Sequence, residues 1–121
     1  MEHITYFNHH SQNFPDVTCR IERITFEKRL ALLREIRELA RQYEFTTAGE
    51  SVGDRYEAAV IQHEINRRYW DCFVSAVSGL TIDGEEATPA LVWSHGPDRL
   101  VHEVLEVVAS ETFLSGNEVK N

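Results

Sequence analysis

Segment 51–78 constrains the fold more than any other part of the sequence, because it predicts a long helix with almost no water-facing surface. Its apolar residues fall on two stripes at three- and four-residue spacing, and only a narrow strip is consistently polar. Ser51 and Asp54 form a capping-box-like start, and Gly79 is a typical C-terminal stop. Such a helix lies at the centre of its fold or is covered by another subunit, and we favour the central position.

The N-terminal third predicts a strand pair followed by a second long helix. Residues 4–7 and 17–22 are rich in β-forming side chains, and a polar loop separates them. Thr25 can cap a helix that runs to about Tyr43. One buried stripe is expected on this helix, formed by Phe26, Leu30, Leu33, Ile36, Leu39, Ala40 and Tyr43.

The C-terminal part predicts shorter elements. Residues 80–84 indicate an extended piece that ends in an Asp-Gly turn. A short helix is expected from Pro89 through Trp93, because Thr88 can cap it and proline favours the first helical position. The last helix is expected from Pro97 to about Phe113, with Glu103 among its water-facing residues.

A chain of 121 residues is long enough for one core, since a domain of this size buries about two thirds of its surface on folding. We therefore expect a single domain over 1–121, with a β element at 1–24, a helical body at 25–113 and a loose tail at 114–121. The expected class is a mainly α domain of three to four helices with a short N-terminal β element.

Charge and cysteine content exclude several classes of protein. The net charge of -8 is the opposite of what a nucleic-acid binder needs to neutralise phosphates. Cys19 and Cys72 show no paired spacing and suggest a reducing compartment. No apolar run approaches membrane-spanning length, and the N-terminus lacks a signal-peptide pattern. We expect a cytoplasmic protein that binds neither nucleic acid nor membrane.

The first long helix departs from this acidic balance. Residues 25–47 sum to +1, whereas residues 81–121 sum to -6. Its basic residues are compatible with an acidic partner, but we favour a solvated face on which they pair with Glu27, Glu35 and Glu38 at helical spacing. The basic positions are Lys28, Arg29, Arg34, Arg37 and Arg41.

Catalytic and metal-binding patterns are incomplete. The zinc-protease pattern His-Glu-x-x-His begins at His63 and at His102, but Arg67 and Glu106 stand where the second histidine is required. Cys72 lies on an apolar stripe, which indicates an inert thiol. We predict no catalytic residue, no metal site and no cofactor, and this outcome favours a binding or structural role.

One metal-binding alternative stays open. Asp98, His102 and Glu106 follow one another at four-residue intervals, so a helix would present two carboxylates and an imidazole on one face. With ligands from another element this face could hold a divalent metal in a small metal-dependent enzyme. Solvated acidic faces with the same spacing are much commoner.

Two stretches share a layout with a known group of proteins over residues 17–121. The first runs from Cys19 to Leu30 and leads from a strand into an Arg-rich helix. The second contains Gly79-Leu80-Thr81-Ile82-Asp83-Gly84, Ala87-Thr88, Gly96-Pro97-Asp98-Arg99-Leu100, Glu103 and an ending with Leu114-Ser115, Glu118, Lys120 and Asn121. This layout resembles the small tail assembly chaperones of long-tailed phages and the prophage-derived proteins similar to them.

The resemblance implies a small, mostly helical protein without enzymatic activity that acts in the cytoplasm of a bacterial host. Such chaperones bind the tape measure protein, a long helical polymer with exposed apolar surface, keep it soluble and help to recruit tail tube subunits. An apolar groove with large side chains suits an amphipathic helical client. The candidate contacts in this sequence are Trp70, Trp93, Phe113 and Leu114, although a core position is the favoured interpretation for each tryptophan.

A third interpretation is an oligomeric helical scaffold. The helix predicted at 51–78 has so little polar surface that a second copy of the chain could cover one of its stripes. A homo-oligomer therefore stays an alternative to the chaperone-like binding protein and to the metal-dependent enzyme.

Overall fold

A computed structural model describes the backbone of residues 1–120 and the side chains of residues 1–112. Within this part of the chain the expected class is confirmed, since four helices accompany a small N-terminal sheet. In chain order the elements are β1 (Tyr6–His10), β2 (Thr18–Glu22), α1 (Phe26–Thr47), α2 (Val52–Phe73), β3 (Val74–Ser78), β4 (Thr81–Ile82), β5 (Glu85–Glu86), α3 (Pro89–His95) and α4 (Asp98–Lys120).

The main sheet has the order β1-β2-β3, and both pairings are antiparallel. Strand β2 is central because it pairs with both β1 and β3, and its Cys19 and Ile21 side chains are fully buried on one face. The predicted strand pair is confirmed with a shift along the chain. The first strand covers 6–10 rather than 4–7, and its end pairs His10 with Thr18.

The predicted helix over 51–78 is wrong at its C-terminal end. Helix α2 ends at Phe73, and the next five residues form β3 against the free edge of β2. The reason is that Val74 and Val77 are β-branched and face the core, while the edge of β2 supplies backbone hydrogen-bond partners. The pairing between β2 and β3 shifts its register between Arg20 and Ile21, close to the point where α2 ends and β3 begins.

Helices α1 and α2 form an antiparallel hairpin, and each has 22 residues, about 33 Å in length. The predicted caps are confirmed, because the side chains of Thr25 and Ser51 accept hydrogen bonds from the amides of Lys28 and Asp54. Helix α1 packs mainly against α2. Only one narrow stripe of α1 is therefore covered, and Leu32 is its buried residue.

The C-terminal elements largely follow the sequence. Asp83 and Gly84 have positive φ values of 51° and 81°, as expected for the turn between β4 and β5. Helix α4 continues to Lys120, so the predicted helix end at Phe113 is wrong, and residues 114–120 of the predicted loose tail have a helical backbone. Gly116 is the least favourable helix former in this segment, and a glycine lowers helix stability by only about 1 kcal/mol relative to alanine.

The core lies between the sheet, the basal part of the hairpin and helices α3 and α4. Its largest fully buried side chains include Trp70 and Phe73 from α2. Leu32 is its most distal buried residue on α1, so the outer half of the hairpin extends beyond the core. The remaining core residues are Val17, Cys19, Ile21, Val74, Ala87, Val92, Leu100, Val104 and Val108.

Candidate interaction surface on the helical hairpin

The first functional feature is an exposed apolar stripe on α1. Phe26, Leu30 and Leu33 are 84%, 45% and 55% exposed, and their four- and three-residue spacing places them on one side of the helix. The sequence predicted these residues as buried. That prediction is wrong because α1 carries two apolar stripes, and α2 covers the other one. We call Phe26, Leu30 and Leu33 the α1 stripe.

Local contacts fix the N-terminal end of α1 against the head of the molecule, by which we mean the sheet together with helices α3 and α4. The Thr25 cap orients the first turn, and the Lys28 Nζ donates a hydrogen bond of 3.3 Å to the carbonyl oxygen of Cys72 at the end of α2. Phe26 therefore has a defined position outside the core, where the chain passes from β2 into α1. The α1 stripe stands on a rigid helix and is not carried by a loop.

Arginines surround the α1 stripe. Arg41 donates to both oxygens of Glu38, at 2.9 and 2.8 Å, and this hydrogen bonding lowers the pKa of the Glu38 carboxyl. Among the residues with described side chains, Arg29, Arg34 and Arg37 form no ion pair. A shallow surface groove next to the stripe is lined by Leu33, Arg34, Ile36, Arg37, Glu38, Ala40, Arg41 and Glu44.

A second apolar stripe lies on the outer side of α2. Val52, Tyr56 and Val60 are each more than half exposed and follow one another at four-residue intervals. Towards the core, the same side of α2 carries Arg67 and Trp70, which α3 covers with Trp93. The stripe is therefore covered at the base of the hairpin and open at its tip.

The candidate contacts from the sequence separate into three groups. Trp70 is fully buried, and its Nε1 donates a hydrogen bond of 2.8 Å to the Pro89 carbonyl oxygen, so it belongs to the core and offers no surface to a partner. Trp93 is partly exposed and packs 5.0 Å from the His63 ring, measured between centroids. Phe113 and Leu114 lie outside the described side chains.

The metal-binding alternative gains no support from the geometry. Asp98, His102 and Glu106 are exposed on α4. Throughout the residues with described side chains, no group of three or more His, Cys, Asp or Glu residues is placed to hold a metal ion. On α4, Glu103 has several polar side chains within hydrogen-bonding distance.

Glu103 was expected to face water, and this expectation is wrong. Its side chain is only 12% exposed and lies against the loop that follows β1. The Ser11 Oγ and the Asn13 Nδ2 donate to it at 3.0 and 2.9 Å, and the His9 Nε2 lies 2.5 Å from it. Burial raises the pKa of Glu103, but the hydrogen bonds from His9, Ser11 and Asn13 outweigh this effect and lower it to about 2. No local sequence pattern could reveal a partner some ninety positions away.

The Glu103 cluster is not arranged for nucleophilic catalysis. The Ser11 Oγ donates to the Glu103 Oε1 and accepts from the amide of Phe14, and so it is not directed at His9. A serine nucleophile needs the histidine as its proton acceptor, with the carboxylate behind that histidine. The carboxylate here joins a loop to a helix, which is a structural role.

Burial disfavours ionisation of both thiols. Burial raises the pKa of Cys19 to about 11, with a further contribution from the nearby Glu103 charge. Burial also raises the pKa of Cys72, although Lys28 opposes the shift. A thiol acts as a nucleophile only when it is deprotonated, so burial disfavours the reactive form of both cysteines, and Cys19 is almost entirely protonated near neutral pH.

Comparisons with protein-family models, with curated proteins and with solved structures found no match. Among the described residues, no helix has both the length and the apolar character needed to cross a bilayer.

Proposed function

We propose that this chain is a non-enzymatic binding protein of the tail assembly chaperone type, and that its α1 stripe holds an amphipathic helical segment of a client protein. The observation that carries the proposal is the exposure of Phe26, Leu30 and Leu33 at helical spacing on a rigid helix. Helix-in-groove recognition uses apolar anchors at this spacing on both partners. Large exposed apolar side chains in a row are a typical mark of an interaction surface.

The size of the stripe suits reversible holding. Complete burial of a Leu or Phe side chain contributes about 1.5–3 kcal/mol, so the exposed fractions of the three residues correspond to about 3–6 kcal/mol in total. Association costs about 4–15 kcal/mol in lost translational and rotational freedom. The stripe alone therefore gives weak binding, and a client that repeats its apolar pattern can be held and later released.

The proposed client is a tape measure protein, which the sequence layout implies together with assistance to tail tube assembly. A long helical polymer with exposed apolar surface offers many segments that match the α1 stripe. Binding covers that surface and keeps the client soluble until tail tube subunits replace the chaperone. The proposed setting is the cytoplasm of a bacterial host.

Co-expression with a tape-measure-like protein encoded nearby, followed by affinity purification, tests this proposal. We expect the client to co-purify with the unmodified chain and with Phe45→Glu, but not with Leu33→Glu. Phe45 is a matched control because it is an exposed apolar residue of the same helix that lies off the stripe. Co-purification with Leu33→Glu, or its absence with the unmodified chain, would contradict the proposal.

A second candidate function is an oligomeric scaffold, and the open stripe of Val52, Tyr56 and Val60 on α2 favours it. A second copy could cover this stripe in the way that α3 covers the basal part of the same side. The molecular mass in solution distinguishes the candidates. A dimer that Tyr56→Glu converts to a monomer would support the scaffold, and a monomeric unmodified chain would exclude it.

A further inference from the structure

The charges around the α1 stripe are unevenly distributed, and they point to one class of client. On a helix, the neighbours of Leu33 on the same side stand three and four residues away. These positions are Arg29, Leu30, Ile36 and Arg37, with no acidic residue among them. Arg34 follows Leu30 at the same spacing and borders the stripe on its other side.

The acidic residues of α1 leave these arginines available. Glu38 is engaged by Arg41 through two hydrogen bonds. Glu27 precedes Arg34 by seven residues, which is about two helical turns. None of Arg29, Arg34 and Arg37 has an ion-pair partner among the side chains that the structure describes. The arginines therefore border the Leu33 end of the stripe, whereas Glu27 borders Leu30 at three-residue spacing.

We propose that the α1 stripe selects an acidic amphipathic helix, whose apolar residues contact Leu30 and Leu33 and whose flanking carboxylates pair with Arg34 and Arg37. This inference rests on the proposed function and names the chemistry of its client. Guanidinium groups recognise carboxylates through paired hydrogen bonds and remain charged at all physiological pH values. The apolar contacts supply the affinity, and the ion pairs decide which helices bind.

The net charge of -8 does not oppose this selection at the stripe. At physiological ionic strength, exposed charges more than about 8 Å apart are largely screened. The potential that a docked helix meets beside Leu33 therefore comes from nearby charges, among which Glu38 is paired with Arg41. Arg34 and Arg37 have no ion-pair partner among the described side chains. Exposed ion pairs are individually weak, so two or three of them give a preference of about tenfold and cannot replace the apolar contacts.

Two synthetic helical peptides test the proposal with the full chain. They share the same apolar residues at three- and four-residue spacing, and one carries Glu while the other carries Lys on both flanks. We expect the acidic peptide to bind about tenfold more tightly in fluorescence anisotropy, with a preference that shrinks as salt increases. The double variant Arg34→Glu, Arg37→Glu should reverse the preference. Arg55→Glu is the control because Arg55 is an exposed arginine on α2 with no ion-pair partner among the described side chains.

The outcomes separate the selection from the proposed function. Equal binding of the two peptides that Leu33→Glu abolishes overturns the charge selection and leaves helix binding at the stripe intact. Tighter binding of the basic peptide overturns the selection as well. Failure of both peptides to bind overturns the proposed function together with this inference. A preference that Arg55→Glu changes as strongly as the double variant shows a general charge effect and also overturns the selection.

Discussion

The His9 Nε2 lies 2.5 Å from the Glu103 Oε2 and joins the first strand to the last helix across 94 positions of sequence. The same carboxylate accepts hydrogen bonds from Ser11 and Asn13, so it also closes the loop after β1. This single contact region holds β1 against α4, and it lies in the head of the molecule, away from the α1 stripe. Changes at Glu103 should therefore alter stability and leave client binding intact.

Stability should fall in acid because of Glu103. Its pKa in the folded chain is about 2, below the ordinary value of 4.5, so the ionised form stabilises the fold. The contribution is fully present above pH 4.5 and is lost as the pH falls towards 2. We expect Glu103→Gln to lower the free energy of unfolding by about 1–3 kcal/mol at pH 7. Urea unfolding between pH 7 and 2 measures both chains.

The difference between the two chains is the informative quantity in that experiment. It should shrink between pH 4.5 and 2, where the unmodified Glu103 becomes protonated. A difference that stays constant over this range would show that the carboxylate charge does not stabilise the fold. Glu106→Gln is a suitable control, because Glu106 is an exposed residue of the same helix.

Truncation of Trp70 should lower the free energy of unfolding far more than truncation of a residue of the α1 stripe. Trp70→Ala removes a fully buried side chain and its hydrogen bond to Pro89, and should cost about 3–5 kcal/mol. Leu33→Ala should change stability by less than about 0.5–1 kcal/mol, because most of this side chain already contacts water. Urea unfolding measures both variants. A large cost for Leu33→Ala would place the stripe inside the fold and remove it as a binding surface.

The sequence predicts features whose causes are local. The Thr25, Ser51 and Thr88 caps are confirmed, because each side chain bonds to an amide only three residues ahead. The turn at Asp83 and Gly84 is confirmed for the same reason. These features depend on neighbours in the chain and not on how distant elements pack.

Features that depend on distant partners could not be predicted in this way. Val77 fits a helical period as well as a strand, and only the free edge of β2 decides for β3. Helix α1 has two apolar stripes, and the position of α2 decides that Leu32 is buried and Leu33 is not. The candidate interaction surface was therefore missed, although its apolar residues are evident in the sequence.

Cys19 should be the less reactive of the two thiols. It is fully buried, and burial raises its pKa to about 11, so almost none of it is ionised at pH 8. In Cys72→Ser, which leaves Cys19 as the single thiol, we expect no reaction with a thiol reagent at pH 8 until urea unfolds the chain. Rapid labelling of this variant under native conditions, at a rate independent of unfolding, would contradict the packing of β2 against the core.

Gly79 and Gly84 offer a matched test of the turn region, because both have a φ of 81°. A Cβ atom at Gly84 would meet no atom within 4 Å, so Gly84→Ala carries only the strain of the left-handed backbone, about 1–2 kcal/mol. A Cβ atom at Gly79 would lie 1.8 Å from the Asp16 carbonyl oxygen, which is backbone and cannot move aside cheaply. Gly79→Ala should therefore cost at least about 2 kcal/mol more than Gly84→Ala in urea unfolding. Equal costs would mean that the segment after β3 does not pack against the loop before β2.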